Sequence, residues 1–178
     1  MKGWKKIKSK IVHQNPWYAV HEHDVIQPNG SRGKFFVLAT AGSIAVVAED
    51  IDGKIYLVGQ HRYAVGNQFS WEIVIGALKK GKSPLQTAKE ELEEEVGVKA
   101  KNWKKIGTIH AWNGLSAEVC HVFLAKDLIQ SKQDLDETED ISVKKVDLEK
   151  ILAMIKNNKI TSSLTISAIL KYLLFKKL

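Results

Sequence analysis

Short apolar segments separated by turn residues occupy most of the chain before residue 76. Segments rich in valine, isoleucine and phenylalanine predict strands. These segments are residues 17–25, 34–39, 43–49, 54–60 and 68–75. Asn29-Gly30 and Asp52-Gly53 predict tight hairpin turns, because glycine readily adopts the positive φ that such turns require. Residues 1–16 form a polar, basic lead-in that ends at Asn15-Pro16.

The pattern then changes to a helical period. One apolar stripe at spacings typical of a helix face is formed by Leu85, Ala88, Leu92 and Val96. Ser83 suits the N-cap, Pro84 the first helical position, and Gln86 the third position of a capping box. Gly97 supplies the C-terminal stop. We therefore expect a helix between residues 83 and 97.

Beyond this helix, strands are predicted at residues 104–110, 118–125 and 141–146, with an acidic loop at 134–140 and closing helices at about 147–157 and 162–175. Strands and helices do not alternate regularly, so a doubly wound parallel sheet is disfavoured. The order predicts an α+β fold in which a mixed β-sheet is sandwiched between α-helices (α/β/α). We divide the chain into N-terminal strands, 1–40, and a main domain, 41–178.

Composition limits the function classes. The chain has 178 residues, a net charge of +7 and one cysteine, Cys120, which excludes an intrachain disulfide. Cys120 lies in a predicted strand, and we interpret it as a buried structural thiol. No apolar run is long enough for a membrane span, and the basic start is not followed by the apolar stretch of a secretory signal. We expect a cytoplasmic protein without a membrane partner.

The positive charge has three interpretations: a solvated surface, a nucleic-acid or membrane surface, or a field that attracts an anionic phosphate substrate. We favour a solvated surface over nucleic acid because no nucleic-acid motif accompanies the charge. A conspicuous negative cluster lies near the end of the predicted helix and consists of Glu90, Glu91, Glu93, Glu94 and Glu95. Like charges one turn apart and at a helix C-terminus are unfavourable unless compensated. Either the cluster is a solvated acidic face, or its carboxylates bind Mg²⁺ or Mn²⁺.

Spacing around this cluster resembles the signature of the Nudix hydrolases, Gly-x5-Glu-x7-Arg-Glu-U-x-Glu-Glu-x-Gly-U, in which U is apolar. The matching positions are Gly76, Glu91, Leu92, Glu94, Glu95, Gly97 and Val98. Two positions depart from the signature: Lys82 replaces the first glutamate, and Glu90 replaces the arginine. In the family that arginine helps to hold the catalytic glutamate, and glutamate does not provide its positive fork.

The resemblance covers roughly residues 15–172 and is closest to the ADP-ribose pyrophosphatase branch. Its motifs here include residues 15–17, 28–30, 60–63, 71–72 and 114–118. Asn113 stands where a proline often marks ADP-ribose specificity, and residues 71–76 lack the branch's usual Pro-Ala. The resemblance implies metal-dependent cleavage of ADP-ribose or another nucleoside diphosphate derivative into two monophosphates.

The resemblance also implies residue roles. Glu91, Glu94 and Glu95 would hold Mg²⁺ or Mn²⁺, with further ligands from Glu72 and the main-chain carbonyl of Gly76 or Ile75. A glutamate of the acidic loop would act as the base. The candidates are Glu137, slightly favoured, and Glu139, with Glu118 as an alternative.

Four residues are candidates for binding substrate: Arg62 for the diphosphate, Trp17 and Trp112 for the base, and Glu118. Each has an alternative structural role: Arg62 in an ion pair, the two tryptophans in a core or an interface, and Glu118 at the surface or a strand edge. The branch is usually dimeric with exchanged N-terminal segments, so the resemblance implies a homodimer and makes 1–40 a candidate exchange segment. Two alternatives remain: a catalytically weakened nucleotide-binding module, and a basic RNA-processing pyrophosphohydrolase.

Overall fold

The computed structural model describes residues 2–177 as two compact units. The first unit comprises the residues up to Gly42 together with His110–Val119, and the second comprises Ser43–Ile109 and the residues from Cys120 onward. The strands are β1 (Lys5–Gln14), β2 (Tyr18–Ile26), β3 (Arg32–Thr40), β4 (Ser43–Ala48), β5 (Ile55–Arg62), β6 (Gln68–Glu72), β7 (Val74–Ala77), β8 (Val98–Ile109), β9 (Cys120–Gln130) and β10 (Ser142–Val146). The helices are α1 (Pro84–Val96), α2 (Leu148–Lys156) and α3 (Ser163–Lys176), with one 3₁₀ turn at Tyr63–Val65.

The first unit is built on an antiparallel sheet of order β1-β2-β3. The Asn29-Gly30 turn joins β2 to β3, and Gly30 has the expected positive φ of 90°. The interpretation of residues 1–16 as a lead-in is wrong, since β1 pairs with β2 from Lys5 opposite Ile26 to Gln14 opposite Ala19. Every β1 residue is exposed, so the strand buries no apolar face whose pattern would have revealed it; backbone pairing and the Lys10–Glu22 ion pair at 3.1 Å join it to β2.

The second unit contains a mixed sheet of order β7-β4-β9-β8 and a three-stranded sheet of order β10-β5-β6. β4 lies parallel to β9 and antiparallel to β7. All six residues of β4 are buried, because neighbouring elements cover both of its faces. The second hairpin turn, at Asp52-Gly53, is also present, with Gly53 at a φ of 76°.

Alternate residues of β4 face two separate cores. One core contains Ile44, Val46 and Ala48 and the α1 residues Ala88, Leu92 and Val96. The other contains Ala45 and Val47, the thiol residue Cys120, and residues of the closing helices, Ile151, Ala168, Ile169 and Tyr172. Each large apolar side chain buried in this way contributes about 1.5–3 kcal/mol to stability. The predicted α+β arrangement of a mixed sheet between helices is therefore confirmed, as is the burial of Cys120.

The expected single strand at 68–75 is wrong. β6 ends at Glu72 and β7 begins at Val74, and the two strands belong to different sheets. Ile73, fully buried between them, donates its N–H to the Thr165 hydroxyl at 3.4 Å. This break places Glu72 and Gly76 on separate strands of the same unit.

Two other strand boundaries differ from expectation. β8 begins at Val98, just after α1, although the sequence predicted a strand only from residue 104. The lysine-rich first half of β8 lacks the apolar pattern that predicts a strand. β9 begins at Cys120 and extends five residues past the predicted end at Ala125. Within residues 2–177, no helix combines the length and apolar character needed to cross a lipid bilayer.

Candidate active site

Helix α1 is fixed at both ends by the interactions that the sequence predicts. The Ser83 hydroxyl accepts a hydrogen bond from the Gln86 N–H at 3.3 Å, and the Gln86 side chain accepts one from the Ser83 N–H at 2.8 Å. Gly97 ends the helix with a φ of 72°. A capping interaction of this type contributes about 1 kcal/mol. Leu92 packs into the core, so the rotation of the helix is set and the neighbouring glutamates lie on its other faces.

Lys79, from the loop between β7 and α1, lies among these glutamates. Its ammonium nitrogen is 2.6 Å from Glu94 Oε2, 3.1 Å from Glu91 Oε1 and 3.7 Å from Glu90 Oε2. Partial burial disfavours the charged ammonium, but the hydrogen bonds to Glu94 and Glu91 outweigh it and raise the pKa of Lys79. Lys79 therefore remains charged at neutral pH and neutralises part of the cluster.

Glu95 lies apart from Lys79 and is only 5% exposed. Its Oε2 is buried and accepts no hydrogen bond from any residue in the range 2–177. Burial is the largest cause that raises the pKa of Glu95 to about 8, and the negative charges of Glu91 and Glu139 add to it. A buried acceptor without a partner costs about 1–3 kcal/mol. Such a group is expected where a ligand completes the site.

Gly76 and Glu91 are in close contact. A Cβ atom added at Gly76 would lie 2.6 Å from Glu91 Cγ and Oε2, closer than a real Cβ allows. Glycine at this position therefore leaves room for the Glu91 carboxylate against β7. Burial raises the pKa of Glu91, while the hydrogen bond from Lys79 opposes this effect.

Glu72 and Arg62 form an ion pair on the neighbouring sheet. Glu72 Oε2 accepts hydrogen bonds from two guanidinium nitrogens of Arg62, Nε at 3.1 Å and the closer Nη2. The Glu72 side chain is 10% exposed and that of Arg62 is 36% exposed. The positive charge of Arg62 opposes part of the rise in the pKa of Glu95, so the ion pair lies within electrostatic range of the glutamates of α1.

The two departures from the signature face each other. Lys82 Nζ lies 2.6 Å from Glu90 Oε2, and this contact is the main cause that lowers the pKa of Glu90. A lysine–glutamate pair thus stands where the signature has a glutamate and an arginine. The two side chains form an ion pair, although lysine does not provide the planar fork of arginine.

The acidic loop contributes Glu139 to the electrostatics of the site. The negative charge of Glu139 raises the pKa of both Glu91 and Glu95. One Glu139 carboxylate oxygen accepts a hydrogen bond from the Asp136 N–H at 3.2 Å, which fixes the loop locally. Glu137, the slightly favoured base in the sequence, is exposed on the same loop. The charge of Glu139 therefore reaches the carboxylates of α1.

The remaining sequence candidates belong to the first unit. Trp17 and Trp112 are exposed, by 78% and 56% respectively, so neither indole is a core residue. The carbonyl of Glu118 accepts a hydrogen bond from the His110 ring at 3.2 Å, and its N–H donates to the Ser116 hydroxyl at 3.0 Å.

The donor set fits a divalent cation of the Mg²⁺ or Mn²⁺ type, which prefers oxygen ligands. The supporting observations are the unpartnered buried Oε2 of Glu95 and the space that Gly76 leaves for Glu91. Within the described range 2–177, no three acidic, histidine or cysteine side chains converge at ligand spacing in this conformation. The Lys79 ammonium instead holds Glu91 and Glu94.

Lys79 is the site residue that sequence reasoning missed. Lysine is common in loops, and its position three residues after Gly76 carries no signature role. One signal was available, since five glutamates on one short helix segment require compensating charge and the adjoining loop is rich in lysine. Which lysine reaches the carboxylates depends on the loop conformation, which the sequence pattern does not specify.

Family comparisons cover nearly the whole chain. The family described as the NUDIX domain matches residues 39–164, and the family described as the nucleoside diphosphate sugar hydrolase N-terminal domain matches residues 4–38. The boundary between the two matches falls near Thr40, where β3 ends.

Individual relatives also match along most of the chain. An ADP-ribose pyrophosphatase of Bacillus subtilis (strain 168) is 37% identical over 175 residues, covering 97% of this chain and 94% of the relative. A methanol dehydrogenase activator of Bacillus methanolicus is 30% identical over 167 residues, covering 93% and 90%. A crystal structure of an ADP compounds hydrolase superposes with a TM-score of 0.85 at 18% identity, covering 99% of this chain and 96% of that one. This last likeness shows that the fold is shared.

Proposed function

We propose that this chain, which belongs to the Nudix hydrolase family and to its ADP-ribose pyrophosphatase-like branch, hydrolyses ADP-ribose or a related nucleotide sugar. The products are two monophosphates, and the reaction depends on Mg²⁺ or Mn²⁺. The observation that carries the proposal is Glu95, a buried carboxylate whose Oε2 accepts no hydrogen bond within residues 2–177, set among further carboxylates at the spacing of the signature.

Glu91, Glu94 and Glu95 are the proposed metal-holding side chains, with Glu72 and the carbonyl of Gly76 as further ligands. A bound divalent cation would neutralise phosphate oxygens and make water a better nucleophile. Gly76 contributes by leaving space for Glu91, and Leu92 contributes by fixing the rotation of α1.

Glu139 is the proposed base that accepts the proton of the attacking water, with Glu137 and Glu118 as the other candidates. The charge of Glu139 already acts on Glu91 and Glu95, which supports a place for it beside the reacting phosphate. Arg62 presents the guanidinium N–H groups that Glu72 does not use to the diphosphate, where a planar fork gives directional hydrogen bonds.

The exposed indoles of Trp17 and Trp112 are proposed as stacking surfaces for the base. Stacking of a base on an aromatic side chain contributes about 1–3 kcal/mol. We further propose that the chain acts as a homodimer in which residues 1–40 take part in the subunit contact. Analytical ultracentrifugation of the full chain, compared with a variant lacking these residues, tests this assembly.

The catalytic proposal is tested by a substrate panel of nucleoside diphosphate derivatives with Mg²⁺ or Mn²⁺, with products separated by chromatography. ADP-ribose is expected to give AMP and ribose 5-phosphate. Glu95→Gln is expected to abolish turnover. Glu93→Gln is the matched control on the same helix, since Glu93 is bound instead to Ser131 at 2.6 Å and Lys99 at 2.9 Å. A wild-type protein that cleaves no member of the panel would refute the proposal.

A second function is favoured by one observation, the ammonium of Lys79 held between Glu91 and Glu94. Carboxylates neutralised in this way suit a module that binds a nucleotide without cleaving it. This alternative predicts that calorimetry detects binding of ADP-ribose while chromatography detects no product. If the two departures from the signature, Lys82 and Glu90, cause the lack of turnover, the double substitution Lys82→Glu with Glu90→Arg should create it. If the double variant also stays silent, the two departures are not the cause of the silence.

A further inference from the structure

The loop that carries Lys79 is anchored to the beginning of α1. The Lys79 N–H donates to the hydroxyl of Thr87 at 3.4 Å, and Thr87 is fully buried. The Lys79 carbonyl accepts a hydrogen bond from the Lys82 N–H at 3.1 Å, which closes the loop on itself. The backbone of Lys79 is thus fixed, and its side chain runs along the helix toward the later glutamates.

The ammonium bridges carboxylates from successive turns of the helix. It lies 2.6 Å from Glu94 Oε2 and 3.1 Å from Glu91 Oε1, so one cation contacts two of the three side chains proposed to hold metal. The side chain is 32% exposed, which leaves it room to move out toward solvent. A position between two carboxylates on the accessible side of a site is also the position that an added cation would take.

We propose that Lys79 is an internal counter-ion that occupies the cation position between Glu91 and Glu94, so that a divalent metal binds only by displacing it. Lys79 thereby sets the metal affinity of the site. This inference rests on the proposed function, because it takes Glu91 and Glu94 as metal ligands.

The physical reason is competition for the same oxygen atoms. Two cations cannot share Glu94 Oε2 and Glu91 Oε1 without strong mutual repulsion, so the metal ion that binds to these oxygens must release the ammonium. The free energy that holds Lys79 in place is then subtracted from the binding free energy of the metal. Removal of the ammonium, with the carboxylates kept, should increase metal affinity.

Lys82 provides a matched comparison on the same loop. Its ammonium is also 2.6 Å from a glutamate of α1, but that glutamate is Glu90, outside the proposed ligand set. Substitution of Lys82 removes the same charge from the same loop and breaks an ion pair of the same length. A general electrostatic effect of losing one lysine would appear in both variants, whereas competition at the metal position would appear only at Lys79.

The experiment is a Mn²⁺ titration of the full chain, followed by calorimetry and by the electron paramagnetic resonance signal of free Mn²⁺. Lys79→Met should bind Mn²⁺ about tenfold more tightly than wild type or better, a change of about 1.4 kcal/mol. Lys79→Arg, which keeps the positive charge, and Lys82→Met should stay within about threefold of wild type. Circular dichroism spectra establish that each variant is folded.

The outcomes separate the two proposals. If wild type binds Mn²⁺ and folded Lys79→Met binds it equally or more weakly, the counter-ion inference is overturned while the metal site stands. If Lys82→Met tightens binding as much as Lys79→Met, the effect is general charge and the inference is also overturned. If neither wild type nor any variant binds Mn²⁺, both the inference and the proposed metal-dependent function fail.

Discussion

The second unit contains two glutamates that are equally buried and electrostatically opposite. Glu49 and Glu95 are each 5% exposed. Glu49 lies 3.0 Å from Lys176 Nζ and 3.3 Å from Lys126 Nζ. Glu95 has no ion pair within residues 2–177 and lies among other carboxylates.

The pKa shifts follow from these partners. Burial raises the pKa of Glu49, but the hydrogen bond from Lys176 and the positive charge of Lys126 outweigh it and the net shift is downward. Burial raises the pKa of Glu95 in the same way, and neighbouring negative charges raise it further, to about 8. One oxygen of each carboxylate is buried without a hydrogen bond from residues 2–177, so the difference lies in the ion pairs: Glu49 has two lysines, and Glu95 has no ion pair in that range. The difference indicates that the fold supplies the partner of Glu49 and leaves the partner of Glu95 to a ligand.

The largest expected effect is on turnover. Glu95→Gln should lower kcat for the accepted nucleotide sugar by about 1000-fold or more, because it removes a charged metal ligand. Glu49→Gln should lower the free energy of unfolding and leave kcat within about threefold of wild type. Steady-state kinetics and urea denaturation of both variants measure the two quantities. If Glu49→Gln lost turnover as strongly as Glu95→Gln, the functional distinction between the two glutamates would be lost.

The next effect concerns the contact between Gly76 and Glu91. Gly76→Ala should lower kcat by about 100-fold, or about 2.7 kcal/mol, because the new Cβ meets the Glu91 carboxylate and moves it. Gly59→Ala is the steric control, since its Cβ would lie 2.6 Å from Phe69 Cζ and 2.8 Å from Trp71 ring atoms. That variant should lose stability while its kcat changes far less. Equal kcat losses in both variants would indicate that Gly76 matters only for packing.

Some features of this site follow from the sequence and others do not. The capping box at Ser83, the stop at Gly97 and the signature spacing were readable because each depends on residues close together in the chain. The apolar pattern also predicted the strand at residues 43–49, which is β4. Local pattern failed for β1, whose side chains are all exposed, and at Ile73, where the chain passes from one sheet to another.

The role of Lys79 was unreadable for a different reason. Several lysines adjoin α1, and composition cannot distinguish the one that reaches Glu91 from those that remain in solvent. That choice depends on the backbone hydrogen bonds of the loop, from the Lys79 N–H to the Thr87 hydroxyl and from the Lys82 N–H to the Lys79 carbonyl. The partners of a buried charge are therefore a tertiary property, as they are also for Glu49 with Lys176 and Lys126.

The opposite pKa shifts predict opposite pH dependences in metal-free protein. The pKa of Glu95 is about 8 in the folded state, against an ordinary value of 4.5. Between these values the folded state binds more protons than the unfolded state, so stability falls as the pH rises. The unfolding free energy of wild type relative to Glu95→Gln should fall by about 2 kcal/mol between about pH 5 and about pH 6.5. Urea denaturation with EDTA measures it, and a flat difference would contradict the assignment.

The smallest effect tests the structural glutamate. Lys176→Met should lower the free energy of unfolding by about 1 kcal/mol at neutral pH, because Glu49 loses one of two cations while Lys126 remains. Lys177→Met, at the exposed neighbouring position, should change it by less than about 0.5 kcal/mol. Since the pKa of Glu49 is lowered, this stabilisation is present above the unfolded pKa and is lost as the pH falls through the folded one. A Lys176→Met loss that persists in acid would therefore come from the contact of the ammonium with the Tyr172 ring, whose centroid lies 5.3 Å away, and Glu49 would no longer serve as the paired counterpart of Glu95.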